Sequence, residues 1–153
     1  MAEQIQSAKH EGLFASSITL ATNASTSGIV DTIGWDYAHF LVTNDTGATN
    51  KAAFVQCQLT EGTEGTSTDT AIVAFTGGTS VVAGSTGFVI PAMNTDEPTI
   101  VAMNVDLRKR ERFIKLTADP SITAAISGIC LLTRGREAMP GSDDGSASVI
   151  VTG

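Results

Sequence analysis

The densest group of charged side chains in this sequence is a basic run that separates two apolar stretches. Clustered cations of this kind can contact an acidic protein, bind phosphates, or lie in a solvated turn that blunts a strand edge. The chain has one Trp, one Tyr and six Phe, too few for a base-stacking surface, which disfavours nucleic acid. We expect a hairpin tip or an exposed strand end, either as a solvated turn or as a protein contact. The residues of the hypothetical contact are Arg108, Lys109, Arg110, Arg112 and Phe113.

Residues that could carry catalysis or hold a metal are sparse and poorly spaced. The two histidines, His10 and His39, have no acidic partner at ligand spacing. The carboxylate pairs at 96–97 and 143–144 lack the alternation of ligands that a calcium loop uses. Phosphate-cradling glycine loops and the nucleophile elbow are missing from the sequence. We therefore predict a protein that is not an enzyme, with no catalytic, cofactor-binding or metal-binding residues.

A second local signature runs from Gly28 to Tyr37, where a strand meets a glycine and then an aromatic-acidic-aromatic step. Gly34 permits a tight bend, and Trp35 and Tyr37 then point to the same side and can close the end of a sandwich. The carboxylates of Asp31 and Asp36 can accept hydrogen bonds from nearby backbone amides. We predict a structural corner built from Asp31, Gly34, Trp35 and Tyr37.

The composition favours a β protein of modest charge. Of the 153 residues, 42% are apolar and 16% are charged, against about 25% charged in typical domains. The net charge of −7 disfavours binding to nucleic acid or to an anionic membrane, and no apolar stretch has the length of a membrane span. The N-terminus lacks the apolar segment of a secretory signal. Cys57 and Cys130 are predicted to be free thiols in the core.

The fold class predicted from the strand pattern is an all-β antiparallel sandwich, jelly-roll-like, of about eight to ten short strands. Alternation places Ala38, Phe40 and Val42 on one face, and likewise Val55, Cys57 and Leu59. We expect the segment at 71–75 to end at the glycine pair 77–78, although 68–75 could instead form a helical turn. The candidate strands are residues 16–22, 29–33, 37–43, 54–60, 71–75, 80–83, 87–90, 100–107, 113–118, 122–133 and 149–152.

One domain with extended ends is predicted. Residues 1–15 form an N-terminal arm, 16–137 the β-sandwich, and 138–153 a flexible tail that could add a last strand.

The step Val30-Asp31-Thr32-Ile33-Gly34-Trp35-Asp36-Tyr37 resembles a pattern in small β-sandwich head proteins of tailed bacteriophages. In those proteins a later strand reads as apolar residues, Asp-Leu-Arg, a basic turn and an Arg-aromatic pair. Here that segment is Asn104-Val-Asp-Leu-Arg-Lys-Arg-Glu-Arg112-Phe113, which differs by having no Gly in the basic turn. The two segments bracket roughly residues 28–118. Proteins of this kind are cement or decoration proteins, so the resemblance implies no catalytic residues.

The resemblance implies a structural virion protein that binds the outer capsid surface and stabilises contacts between major capsid subunits. It would assemble in the host cytoplasm as a homodimer or homotrimer, with the arm at 1–15, the turn at 108–112 and the tail at 138–153 in contact with neighbouring subunits. The alternatives are a carbohydrate-binding or adhesive module, such as a fibre tip, and another structural role in a phage tail or neck. The carbohydrate alternative requires exposed aromatic residues, for which Trp35 and Tyr37 are the candidates, and it fails if Trp35 is buried.

Overall fold

The computed structural model of this protein describes residues 8–14, 18–21, 24–45, 54–66, 70–78, 87–90, 99–134 and 149–152. These residues form two β-sheets that enclose a single apolar core, which confirms the predicted all-β sandwich. The predicted strand at 80–83, residues 1–7 of the predicted arm and residues 138–148 of the predicted tail lie outside the described residues.

Strands account for nearly all of the regular structure in the described ranges. A short 3₁₀ helix, Leu107–Lys109, is the exception. The strands are β1 Ala8–Gly12, β2 Ile18–Leu20, β3 Thr26–Asp31, β4 Tyr37–Asp45, β5 Phe54–Gly62, β6 Thr70–Gly78, β7 Phe88–Val89, β8 Thr99–Asp106, β9 Phe113–Pro120, β10 Ala124–Thr133 and β11 Val149–Thr152.

The first sheet has the strand order β1-β10-β4-β8-β11, and β2 also pairs with β10. The second sheet has the order β3-β9-β5-β6-β7. Pairing is antiparallel as predicted, except that β11 runs parallel to β8 and β7 runs parallel to β6. Since β8 and β9 belong to different sheets, the chain crosses from one layer to the other between them.

Strand β4 lies in the middle of the first sheet and follows the predicted alternation. Ala38, Phe40 and Val42 have no exposed surface, whereas His39 and Leu41 are half-buried on the opposite face. The apolar residues of this strand that face the second sheet are therefore those that the two-residue period indicated.

Strand β5 departs from the predicted alternation at its start. Cys57 and Leu59 are buried as expected, but Val55 is half-buried and Phe54 is buried instead. The pairing of β5 with β9 shifts register between Phe54 and Gln56, which identifies a bulge. A bulge changes the phase of the strand, so the prediction for Val55 was wrong.

Strand β6 is longer than predicted and includes its glycines. It runs from Thr70 to Gly78, so neither a strand end before Gly77 nor a helical turn is present at 70–75. A Cβ atom at Gly77 would lie 2.2 Å from the Phe88 ring, which packs there from β7. Gly77 therefore makes room for an aromatic ring, and the strand continues through it.

Strand β1 lies within the segment that we predicted to be an arm. It pairs along β10 at the edge of the first sheet, and its Lys9 and Glu11 form an ion pair. Directly after it, the backbone N–H of Leu13 donates to the Gly128 carbonyl at 3.0 Å, and the Leu13 side chain enters the core. The end of the arm is thus part of the sandwich.

Candidate functional site

The predicted corner is a tight turn between β3 and β4. The Asp31 carboxylate accepts the Ile33 N–H at 3.1 Å, and the Thr32 carbonyl accepts the Trp35 N–H at 3.1 Å. Gly34 has φ of +81°, a conformation that side chains other than glycine rarely adopt. Tyr37 is buried and Trp35 is half-buried against the core.

Asp36 acts through its backbone in the described contacts. Its N–H donates to the Thr133 carbonyl at 3.1 Å, and its carbonyl accepts the Leu107 N–H at 2.8 Å. The corner is thereby tied to the end of β10 and to the beginning of the basic run.

The basic run is not a hairpin tip, because it connects β8 of the first sheet to β9 of the second. The run does not lie at the end of an edge strand either, since β8 and β9 each pair with a strand on both sides. Asp106 caps the 3₁₀ helix by accepting the Arg108 N–H at 3.1 Å. Leu107 is buried, and this anchors the crossing to the core. We call residues 106–113 the basic arch.

The corner and the basic arch are joined directly, although they lie 81 residues apart in the chain. Two atoms of the Arg112 guanidinium, Nε and Nη2, donate to the two Asp31 oxygens at 3.0 and 2.7 Å. Thr32 adds two bonds, since its N–H and its hydroxyl both donate to the Arg112 carbonyl, at 2.9 and 2.7 Å. Two-point guanidinium–carboxylate pairs fix geometry as well as charge. The two predicted groups of residues therefore form one unit, which we call the corner latch.

Three arginines stack on the aromatic rings of this end of the sandwich. The guanidinium carbons of Arg108 and Arg112 lie 5.2 Å from the Tyr37 ring centroid and 4.8 Å from that of Phe113. Arg134 lies 5.0 Å from the Trp35 ring and donates its Nε–H to the Gly34 carbonyl at 2.5 Å. Such stacking holds a planar cation in a fixed position over the ring.

Carboxylates neutralise most of the positive charge in the basic arch. Arg108 pairs with Asp106, Arg112 with Asp31, and Arg110 lies 3.8 Å from a Glu61 oxygen. Of the described residues, none forms an ion pair with the exposed Lys109. Arg108 and Arg112 are exposed as well, but each is paired, so among the described residues Lys109 is the cation of the arch without a carboxylate partner.

The pKa values of two carboxylates reflect these pairs. The hydrogen bonds from the Arg108 side chain lower the pKa of Asp106 to about 2. The hydrogen bonds from the Arg112 side chain likewise lower the pKa of Asp31. Both carboxylates therefore stay charged at a lower pH than an ordinary aspartate does.

We expect acid to weaken the protein partly through Asp106. A carboxylate whose pKa is lowered in the folded state stabilises it above about pH 4. That contribution disappears as the pH falls through the folded-state value near 2. The difference in thermal midpoint between the wild type and Asp106→Asn should therefore be present at pH 6 and shrink towards pH 2. A difference that is constant across this range would contradict the assignment.

A shallow groove of about 500 Å³ lies beside the latch, lined by Ala8, Lys9, Trp35 and Arg134. It brings the edge strand β1 next to the indole of the corner. Because Lys9 is paired with Glu11 and Arg134 already stacks on Trp35, the polar groups of the groove have partners within the protein.

The remaining candidates for chemistry do not converge in the described part of the chain. His10 is exposed on β1, and His39 shares a hydrogen bond with Asn104 across β4 and β8. Cys57 and Cys130 are free and buried as predicted, and burial raises the pKa of Cys57 to about 12. Among the described residues no three His, Cys, Asp or Glu side chains come close enough to hold a metal ion. The carboxylate pairs at 96–97 and 143–144 lie outside these residues.

Sequence reasoning missed Arg134 and Glu61, which contribute to the latch and the arch. Arg134 is a single charge after β10, and Glu61 is one of several acidic residues near the end of β5. Neither has a local pattern that distinguishes it from a solvated side chain, because its partner lies far away in the chain.

No helix in the described residues is long and apolar enough to cross a membrane. Comparison with known protein families, with curated proteins and with solved structures finds no match to this chain.

Proposed function

We propose that this chain is a structural protein of a tailed-bacteriophage head that binds the outer capsid surface and braces neighbouring major capsid subunits. The observation that carries the proposal is the corner latch. The two segments that resemble decoration proteins contact each other through Asp31, Thr32 and Arg112. The resemblance therefore corresponds to a spatial unit rather than to two unrelated matches.

The mechanism is passive reinforcement. A decoration protein resists deformation of the shell by contacting several capsid subunits at once, so each contact can be modest because symmetry multiplies it. The bonds of the latch join the ends of β3 and β9, which are paired strands of the second sheet, at the place where the corner and the arch lead to the first sheet. We propose that the exposed part of the basic arch contacts an acidic surface of the major capsid protein, with Lys109 as the exposed cation that has no carboxylate partner among the described residues.

The carbohydrate alternative has little support in this geometry. A sugar platform needs an exposed aromatic face, but Tyr37 is buried and Arg134 covers Trp35. The alternative role in a tail or neck would use the same rigid body with a different partner.

The direct experiment uses heads of the virus that encodes the chain, prepared without this protein. Adding the purified protein should lead to saturable co-sedimentation with the heads and should raise the temperature at which they release DNA. Heads that neither bind the protein nor gain heat resistance would contradict the proposal.

Charge variants at the arch test the proposed contact. Lys109→Glu should weaken binding to heads by roughly fivefold, since reversing one exposed charge at a contact costs up to about 1 kcal/mol. Glu111→Lys, an opposite change at an exposed neighbour, is the matched control and should leave binding intact or strengthen it. Equal losses in both variants, or no loss in either, would show that the arch does not meet an acidic surface.

A further inference from the structure

Ile33 is an apolar side chain that the corner exposes to solvent. It is 63% exposed, more than any other large apolar residue in the described part of the chain. The others lie in strands, where a β-branched side chain suits the extended backbone; they are Ile29, Val73, Val89 and Ile129. Ile33 lies in the turn after β3, a place where glycine and small polar residues are usual. Neither core packing nor strand conformation accounts for an isoleucine at this position.

Hydrogen bonds on both sides of Ile33 hold the turn in one conformation. The Ile33 N–H is bonded to the carboxylate of the latch at 3.1 Å. On one side, Thr32 donates twice to the Arg112 carbonyl. On the other side, the Gly34 carbonyl accepts the Arg134 Nε–H at 2.5 Å. A side chain on a fixed backbone loses little conformational entropy when it binds, so Ile33 is preorganised for contact.

Arg134 supplies a cation directly beside this side chain. Its guanidinium stacks on the Trp35 ring, and its Nε–H is taken by the residue that follows Ile33. Stacking occupies the face of the guanidinium and leaves the edge that carries the two Nη groups. No carboxylate among the described residues forms an ion pair with Arg134. Such an edge matches the two oxygens of a carboxylate.

We propose that Ile33 and Arg134, which we call the corner knob, dock into one site on the partner protein. Ile33 enters an apolar pocket, and the Nη groups of Arg134 bind a carboxylate at the rim of that pocket. The proposal rests on the proposed function, in which the partner is the major capsid protein. It gives the corner a specific contact that is separate from the contact of Lys109 in the arch. Binding energy at protein interfaces is concentrated in a few such anchors, among which arginine is enriched.

The charge distribution favours an acidic partner that is not a second copy of this chain. The net charge is −7, but the corner knob lies at the end of the sandwich that carries the basic arch. Two shallow grooves of this protein, of about 500 and 110 Å³, have no carboxylate among the described residues that line them. A second copy would therefore not match Ile33 and Arg134 together at either groove.

Neutral substitutions test the apolar contact, with co-sedimentation with heads prepared without this protein as the measurement. Ile33→Ser should weaken binding to the heads about tenfold or more, as loss of an interface anchor does. Ile33→Leu keeps an apolar side chain of similar volume and should bind within roughly threefold of the wild type. Val73→Ser is the matched control, since Val73 is 51% exposed on β6, and it should bind like the wild type. All three variants should keep the thermal midpoint of the wild type, because the changed side chains are exposed.

Arg134→Gln tests the proposed carboxylate contact. It should weaken binding about fivefold and make the remaining affinity less sensitive to salt, because an ion pair at a contact is screened. A variant that merely loosened the turn would lose affinity equally at every salt concentration. If the wild type does not bind heads, the proposed function fails and the corner knob with it. If the wild type binds, but Ile33→Ser binds equally well or Val73→Ser loses as much, only the corner knob is overturned.

Discussion

Replacing Phe40 with alanine is expected to lower the free energy of unfolding by about 3–5 kcal/mol, as truncation of a fully buried Phe usually does. Phe40 lies on β4, the middle strand of the first sheet, and has no exposed surface. Its register partners are Cys130 on β10 and Met103 on β8, which are fully buried as well. Strands on both sides hold the backbone, so the structure can collapse only partly into the space left by the ring.

Urea denaturation, followed by circular dichroism, measures this loss. For a protein of this size the thermal midpoint should fall by roughly 10 °C, taking 2–4 °C for each kcal/mol. The control is Ile129→Ala on the neighbouring strand β10, since Ile129 is 47% exposed on the opposite face of the same sheet. This control should cost less than about 1 kcal/mol. Similar losses in the two variants would mean that the inner face of the sheet is wrongly assigned.

The sequence predicted the fold class and most strands because alternation is a local property. Strand β4 shows this clearly, since Ala38, Phe40 and Val42 face the core as the two-residue period required. The same period misassigned Val55, because the bulge that shifts β5 depends on its pairing with β9. Local reasoning contains no information on that neighbour.

The elements that were missed or shortened are those that depend on distant residues. Strand β1 has a charged, largely exposed sequence, and pairing with β10 holds it in place. Gly77 resembles a strand end by itself, and only the Phe88 ring from β7 explains why the strand continues through it. Sequence patterns identify strands whose own residues favour the extended conformation. They miss strands that form only because a neighbouring strand pairs with them.

In the candidate site, too, the sequence identified local patterns but not the contacts between distant residues. The sequence singled out Asp31 and Arg112 separately, for a corner and for a basic run, and did not predict that they bind each other. It also indicated a hairpin at the basic arch, because an apolar-charged-apolar pattern does not distinguish a turn within one sheet from a crossing between two. The sequence also does not show that Asp31, Asp106 and Glu61 pair with the arginines of the run, because two of these carboxylates come from distant parts of the chain.

Substituting Gly28 with alanine should destabilise the protein by about 2–3 kcal/mol, the upper part of the range for an overpacked core. Gly28 is a buried position of β3, and a Cβ atom there would lie 2.2 Å from the Leu13 carbonyl oxygen. The obstacle is backbone, which cannot rotate away as a side chain can. The Leu13 N–H is held by the Gly128 carbonyl at 3.0 Å, so relief requires that the two sheets separate along this side.

The matched control is Gly12→Ala, one residue before Leu13 on β1. No atom lies within 4 Å of a Cβ placed at Gly12, and alanine reduces the freedom of the unfolded chain. That variant should be neutral or about 0.5 kcal/mol more stable. Denaturant titrations of both variants give the comparison directly. If Gly28→Ala is as stable as Gly12→Ala, then Leu13 does not pack against β3, and the closure of the sandwich on that side is different from the one described.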